Sequence, residues 1–444
     1  MTMISSLIRF GRRQLHTIIS REIIKPSSPT PSHLRTHNLS LLDQITTNTF
    51  IPMVVFYTNT DVKMFELKNS LSQTLTKYYP FAGRHAKIAP SYVDCNDDGV
   101  EFVEASIGST LLDFFKHSQH EDLDQFFPYG RIWNKNRSSH DLQSDGVIPL
   151  AVQVSHFECG GVALALSFSH RIADGSSLIR FFYDWAKMTR FGSSEQKQEF
   201  PIDPQFIPFQ NINLNFDGIS LAVSNDCITR SFTFPNSKIN DLKNKVKSMT
   251  IESRQPIMNP TRLEVLTWLL CKCSMAAATK NNSGSSKPSG IGLVANLRSK
   301  MMNPLPENAI GNFSFMEILT MDEDEMKAES FVGELKKQKM QVHGLTNIED
   351  AFGRLQEMGL ETNVEEMRRK YEETYICTSL CRYPTYEINF GWGNPVKVTI
   401  GGNLKKNSVI FIDAPNDDGI EALVCLGKQD MAVIQTDPEL LKFC

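Results

Sequence analysis

Gly161-Val-Ala-Leu-Ala-Leu-Ser-Phe-Ser-His170-Arg-Ile-Ala-Asp174-Gly175 is the stretch whose pattern decides the fold of this 444-residue chain. Its opening run is nearly all apolar, the pattern of a strand buried on both faces of a sheet. The run ends at His170. Gly175 allows a turn, and Leu178, Ile179, Phe181, Phe182, Trp185 and Ala186 follow at helical spacing. A buried strand feeding an amphipathic helix is an α/β unit. A His at the end of a rigid strand, beside a glycine turn, is placed to serve a cleft. Neutral imidazole there can take a proton from an alcohol or an amine near neutral pH. Asp174 lies four residues on, where it either holds the imidazole or ties down the loop. Such a His-x-x-x-Asp pair also occurs as plain structure, and a third ligand for a metal is not visible nearby.

Working outward, residues 147–157 read as a strand paired with 161–169 across Glu158-Cys-Gly-Gly161. Residues 51–57 read as a strand and 62–79 as a helix stopped by Pro80. Residues 92–95 and 100–105 flank Asn96-Asp-Asp-Gly99, which predicts a hairpin. From about Gly192 to Asn225 no period is sustained, and this stretch is expected to cross between two halves. The second half opens with a strand at 228–234, then helices near 239–249 and 261–279, with a polar loop at 281–290. Strands at 396–400, 408–413 and 421–426 and a short helix near 437–442 close the chain.

Lys and Arg number 46 against 50 Asp and Glu, a net charge of -4. That balance argues against a large basic face for nucleic acid or a polybasic membrane anchor. No apolar run approaches the roughly 18 residues that span a bilayer. The nine cysteines are expected to be reduced. Cys271/Cys273 and Cys377/Cys381 lack zinc spacing and read as buried thiols. A run of acids at 322–325 followed by Lys336, Lys337 and Lys339 reads as a solvated helix face. A nucleophile elbow, a phosphate loop and a dinucleotide fingerprint are all missing from the sequence. Residues 1–21 carry Arg9, Arg12, Arg13 and Arg21 before any acid. They are expected to be either a frayed extension or an organellar address, with the cytoplasm the default location.

His170-Arg-Ile-Ala-Asp174-Gly175 in mid-chain and Asn389-Phe390-Gly391-Trp392-Gly393 near the end resemble the motif pair of the plant BAHD acyltransferases. Tyr78-Tyr-Pro-Phe-Ala-Gly-Arg84, Asp94-Cys-Asn-Asp-Asp-Gly-Val-Glu-Phe102, Asn296-Leu-Arg298 and Ala309-Ile-Gly-Asn312 fall in the family's order. The proline-rich 25–31 lead-in and Ser155-His-Phe-Glu-Cys-Gly-Gly161 resemble the branch that commonly acetylates hydroxyls of alkaloids or terpenoids. The resemblance covers about residue 22 to the end.

The resemblance implies an α/β fold of two similar-sized chloramphenicol-acetyltransferase-like domains, mixed sheets flanked by helices, with a solvent channel between them. Residues 22–191 with about 377–395 would form the first, 192–225 the crossover, and 226–376 with 396–444 the second. It implies an acyl-CoA-dependent O-acyltransferase with acetyl-CoA as the expected co-substrate. Neither a tightly bound cofactor nor a metal is expected. The partners would be acyl-CoA and a small-molecule alcohol, without nucleic acid or membrane, and the chain would act as a monomer. His170 would be the general base in a direct transfer without an acyl-enzyme. Asp174, Gly175 and Arg298 would support the motif loop, with Asp174 turned from the cleft toward Arg298. Thr261 and Arg262, at a helix start, would contact CoA phosphates. Residues 389–393 would form a structural loop.

Two departures stand out. Asn389 replaces the family's usual acid, losing an ion pair. Leu380 stands where the family often has Trp, a proposed oxyanion donor, leaving Thr378 as possible oxyanion support. An N-acyltransferase acting on an amine and a catalytically silent binder of the same fold are the alternatives.

Overall fold

The computed structural model describes residues 16–444, apart from residues 48, 59, 86–90, 129–146, 193–201, 210–225, 253–256, 258, 283–288, 322–325, 358–373 and 403. The chain divides into two compact units. The first holds Met1–Ser220, Asn308–Asn312 and Tyr383–Gly402; the second holds Leu221–Glu307, Phe313–Arg382 and Asn403–Cys444.

The first unit is built on a six-stranded sheet in the order His16–Ile24, Val100–Ile107, Leu150–Phe157, Val162–Ser169, Phe50–Tyr57, Lys397–Ile400. Val100–Ile107 and Leu150–Phe157 run parallel and the other neighbours antiparallel, so the sheet is mixed. Every residue of Val162–Ser169 is buried, which is why that strand carries almost no polar side chains. Strand residues alternate faces. Val54, Phe56, Ala163 and Ala165 share one, packed with Phe114, Phe126 and Phe157. Each buried Phe contributes roughly 1.5–3 kcal/mol. Helices Met64–Lys77 and Gly175–Gly192 lie side by side, joined where the Trp185 indole donates to Ser70 Oγ at 3.1 Å. The expected pairing of 147–157 with 161–169 is present, turning at Gly160 with φ of 79°.

The hairpin expected around Asn96–Gly99 is absent. Tyr92–Asp94 pairs with Thr36–Asn38 and with Arg84–His85 in a separate three-stranded sheet, whereas Val100–Ile107 enters the main one. The turn residues are spent on other partners. The Asp97 carboxylate accepts the Thr30 N–H at 2.9 Å, and a Cβ on Gly99 would sit 2.5 Å from the Ile24 carbonyl. Residues 16–21, expected in an extension, are part of the edge strand His16–Ile24; residues 1–15 lie outside the described residues. The late segment in the first unit is Tyr383–Gly402, later than the expected 377–395. The reason is that Tyr375–Ser379 is a strand of the second sheet, between Ser289–Asn296 and Ser408–Asp413. Most of the 192–225 crossover lies outside the described residues. Within it Gln205–Phe206 pairs in parallel with Ala309–Ile310, a return of the chain to the first unit that was not foreseen.

The second unit has its own mixed six-stranded sheet: Cys227–Phe234, Ile420–Gly427, Ser408–Asp413, Tyr375–Ser379, Ser289–Asn296, Ser314–Met321. Helix Arg262–Asn281 packs on it through Val265, Leu266, Trp268, Leu269 and Leu270. The Trp268 indole donates to the Met326 carbonyl at 3.0 Å, so the largest side chain of this core leaves no buried donor unmet. All nine cysteines are free thiols, and Cys271 and Cys377 stand with their sulfurs 3.9 Å apart. Residues 322–325 lie outside the described residues; Lys336, Lys337 and Lys339 lie on helix Ala328–His343.

Candidate active site

His170 follows the last residue of strand Val162–Ser169. Its backbone N–H donates to the Thr49 carbonyl at 2.8 Å, extending the sheet pairing by one residue and fixing the Cα. His170 as a whole is partly buried. Nδ1 lies 3.1 Å from Asn312 Oδ1, and Nε2 makes no hydrogen bond among the described residues. Burial pushes the imidazole below its ordinary value of 6.5, against the opposing pull of the His170 backbone, the Asp174 carboxylate and Asn312. The ring is therefore neutral at pH 7, with a lone pair free to accept a proton.

Asp174 does not touch the imidazole's Nδ1. Its Oδ1 accepts the Ser177 N–H at 2.9 Å, three residues on, and so caps helix Gly175–Gly192. Its own N–H donates to the Gly311 carbonyl at 3.3 Å. Ser177 reaches the same segment: its hydroxyl lies 3.0 Å from the Gly311 carbonyl oxygen and accepts the Gly311 N–H at 3.1 Å. The turn carrying Gly175 is thus clamped to Gly311, and the clamp sets the position of Asn312.

Asn312 is almost fully buried, at 1% exposure. Its Nδ2 lies 2.6 Å from the His170 carbonyl oxygen and 2.8 Å from Asp43 Oδ1, and its backbone N–H donates to the same Asp43 oxygen at 2.9 Å. Asp43, 3% exposed, accepts the Ser40 N–H on its other oxygen at 2.8 Å, within the capping box of helix Leu41–Ile45. Burial pushes the Asp43 carboxyl up, while hydrogen bonds from Ser40 and Asn312 pull it back. Asn312 belongs to a motif already quoted, without a role. Asp43 was not singled out, although Ser40-Leu-Leu-Asp43 is a recognisable helix start.

Asn389, Phe390, Gly391, Trp392 and Gly393 also lie in the first unit. Phe390 and Trp392 stack with centroids 5.0 Å apart, Trp392 meets Tyr57 edge-on at 5.3 Å, and Phe390 meets Trp185 at 5.0 Å. The Tyr57 hydroxyl donates to the Ile388 carbonyl at 2.6 Å. The Asn389 side-chain oxygen accepts the Gly391 N–H at 2.8 Å, closing a local turn that lets Gly391 take a φ of 95°. Asn389 and Arg190 line a cavity of about 50 Å³ with Lys187, Tyr183 and Glu387.

The other expected residues lie in the second unit. Thr261 is the N-cap of helix Arg262–Asn281. Its hydroxyl accepts the Glu264 N–H at 3.3 Å, and its own N–H donates to Glu264 Oε2 at 2.8 Å. Glu264 is 2% exposed and pairs with Lys339 at 2.6 Å and Lys336 at 3.8 Å. Arg262 faces Asp413 at 3.8 Å. Glu264 of this helix and Asp413 of strand Ser408–Asp413 thus already engage the Thr261 N–H and the Arg262 guanidinium. Arg298 is buried at 3%, with its Nη1 3.3 Å from Asn296 Oδ1 and its guanidinium 4.9 Å from the Phe313 ring. Thr378 is partly buried on strand Tyr375–Ser379, opposite Ile410, and Leu380 follows it, 8% exposed. Among the described residues no group of three His, Cys, Asp or Glu could hold a metal ion, and no helix is long and apolar enough to cross a membrane.

A family model described as the Transferase family matches residues 16–441. The chain is 36% identical over 437 residues to 17,18-epoxy-17-hydroxycur-19-ene N-malonyltransferase of Strychnos nux-vomica, covering 96% of this chain and 90% of that one. It is 33% identical over 454 residues to deacetylvindoline O-acetyltransferase of Catharanthus roseus, covering 96% and 97%. Among solved structures, that of vinorine synthase matches with a TM-score of 0.77 at 28% identity, over 96% of this chain and 98% of the other.

Proposed function

The chain belongs to the Transferase family, that of the BAHD acyltransferases, and is an acyltransferase; from that premise we propose that it transfers an acyl group, acetyl first among candidates, from acyl-CoA to a hydroxyl of an alkaloid or terpenoid. The observation that carries this reading is the neutral His170, held at Nδ1 with Nε2 unengaged. Nε2 takes the proton of the acceptor hydroxyl as its oxygen attacks the thioester carbonyl. The tetrahedral oxyanion collapses, the carbon–sulfur bond breaks, and the imidazolium returns its proton to the departing thiolate. The products are an ester and free CoA, and the enzyme carries no acyl group. Asp174 and Gly175 hold the loop. Thr378 is the candidate oxyanion donor, with Leu380 beside it offering no polar hydrogen. Arg262 and Thr261 are the candidate CoA phosphate contacts. The cytoplasm is the proposed location, a reading with which nine unpaired thiols are compatible.

The test is thiol release from acetyl-CoA with a panel of alkaloid and terpenoid alcohols and with polyamines, for wild type and His170→Ala. Alcohol-dependent release that falls about 10²–10⁴-fold in the variant supports the reading. Release with amines alone moves the assignment to N-acylation, the reaction named for the Strychnos relative. Equal release by both proteins overturns the general-base role.

A further inference from the structure

We infer that Asp43, acting through Asn312, holds His170 in the tautomer with its proton on Nδ1 and so makes Nε2 the basic nitrogen. The inference rests on the general-base reading and specifies how the base is prepared. It follows from a count of donors and acceptors. An amide side chain has one acceptor oxygen and one donor NH₂ group. The Asn312 NH₂ end faces two oxygens: the His170 carbonyl at 2.6 Å and Asp43 Oδ1 at 2.8 Å. A carbonyl accepts only, and so does an ionised carboxylate. Flipping the amide would set its oxygen against both, so a single orientation is allowed. That orientation leaves Asn312 Oδ1 facing His170 Nδ1 at 3.1 Å. An oxygen there accepts, so Nδ1 must carry the hydrogen. In neutral imidazole the other nitrogen then holds the lone pair.

Asp43 is the fixed point of this chain of constraints. Ser40 N, Asn312 N and Asn312 Nδ2 all donate to it, and the Ser40 side chain also hydrogen-bonds to it. These donors pull against the burial that raises the carboxyl, and the amide orientation holds without its charge because the His170 carbonyl can only accept. A helix cap needs only one of its oxygens, and the other is committed to Asn312. The middle member of the chain is an uncharged amide. It fixes the tautomer while stabilising the imidazolium less than a carboxylate at Nδ1 would. Asp43 and Asn312 are therefore positioning residues. Neither is placed to touch substrate, and their effect reaches the reaction through His170.

The tautomer can be read directly. The protein is labelled with ¹⁵N-histidine, and long-range ¹H–¹⁵N spectra are recorded near pH 7, with His170→Ala identifying the His170 signals. The expected wild-type pattern is a protonated Nδ1 and a bare Nε2. In Asn312→Ala and Asp43→Asn the ring should lose this preference. Turnover should fall, about 10²-fold in the first and about 10-fold in the second, with KM for acyl-CoA changed less than twofold; full loss of tautomer control elsewhere costs as much as about 10⁴. A merely structural role would leave the tautomer in place. A wild-type His170 protonated on Nε2 overturns the inference without any variant, as does retention of the Nδ1–H form in a folded Asn312→Ala or Asp43→Asn protein. If His170→Ala keeps full thiol release, the general-base reading fails. If His170→Ala is inactive while Asn312→Ala keeps tautomer and turnover, only the present inference fails.

Discussion

Two helix starts in this molecule collect polar side chains around a buried carboxylate, and they spend them differently. At Asp174, cap of Gly175–Gly192, the polar groups satisfy one another: Asp174 binds Ser177 N–H, Ser177 engages Gly311, and Asn312 is held between Asp43 and the His170 carbonyl. The chain of bonds ends on Nδ1 of the His170 imidazole, and its other nitrogen makes no hydrogen bond among the described residues. At Thr261, cap of Arg262–Asn281, the chain closes on itself. Glu264 completes the capping box and takes Lys339 and Lys336, while Arg262 faces Asp413. Dense hydrogen bonding therefore does not by itself mark a reactive centre. What separates the two is whether, among the described residues, a neutral imidazole keeps a lone pair without a hydrogen-bond partner.

The sharpest break of this comparison is His170→Ala, which removes the unspent lone pair and should lower turnover about 10²–10⁴-fold in a thiol-release assay. Thr261→Ala, at a candidate CoA contact, should raise KM for acyl-CoA more than it lowers kcat; a loss in kcat as large as that of His170→Ala would break the comparison. Next in size is Glu264→Ala. It removes the capping box and leaves two lysines without their buried partner, so thermal unfolding should show about 1–3 kcal/mol of destabilisation with turnover per folded molecule unchanged. Asp174→Ala removes an N-cap contribution of about 0.5–2 kcal/mol, so destabilisation should be at least of that size, and Asp174→Asn should retain the cap because the amide oxygen can still accept from Ser177. If Asp174→Asn kept full stability yet lost turnover as heavily as His170→Ala, the carboxylate charge itself would belong to the mechanism.

The smallest expected effect is on pH dependence. Burial depresses His170 from 6.5, while its own backbone, the Asp174 carboxylate and Asn312 pull the other way. The base is active when neutral, so kcat/KM should hold level through neutrality and fall as pH drops through a midpoint below 6.5. The folded state resists protonation that the unfolded chain accepts, so stability should decline over the same acid range. A midpoint above 6.5 would show that the carboxylate outweighs burial and would bring this helix start closer to the charge-paired character of the other.

Much of the reactive region was legible in local sequence. The apolar run of 162–169 could only be a doubly buried strand, and the spacing from Leu178 to Ala186 could only bury one helix face. Thr261-Arg-Leu-Glu264 and Ser40-Leu-Leu-Asp43 are helix starts readable as such. The Asn96–Gly99 turn misled, because Asp97 is bound to Thr30 and the two flanking strands pair elsewhere.

The sequence alone determined the elements whose causes lie within a few residues: strand periodicity, helix faces, caps, and the motif pair that names the family. Only the tertiary structure decided which nitrogen of His170 is held and by what. Asp43 and Asn312 stand 269 positions apart in the chain, and no local pattern links them. Their contact exists because residues 308–312 return to the first unit and are clamped there at Gly311. Propensity and periodicity act over one or two turns. Hydrogen-bond complementarity between distant segments is set only once the core has brought those segments together.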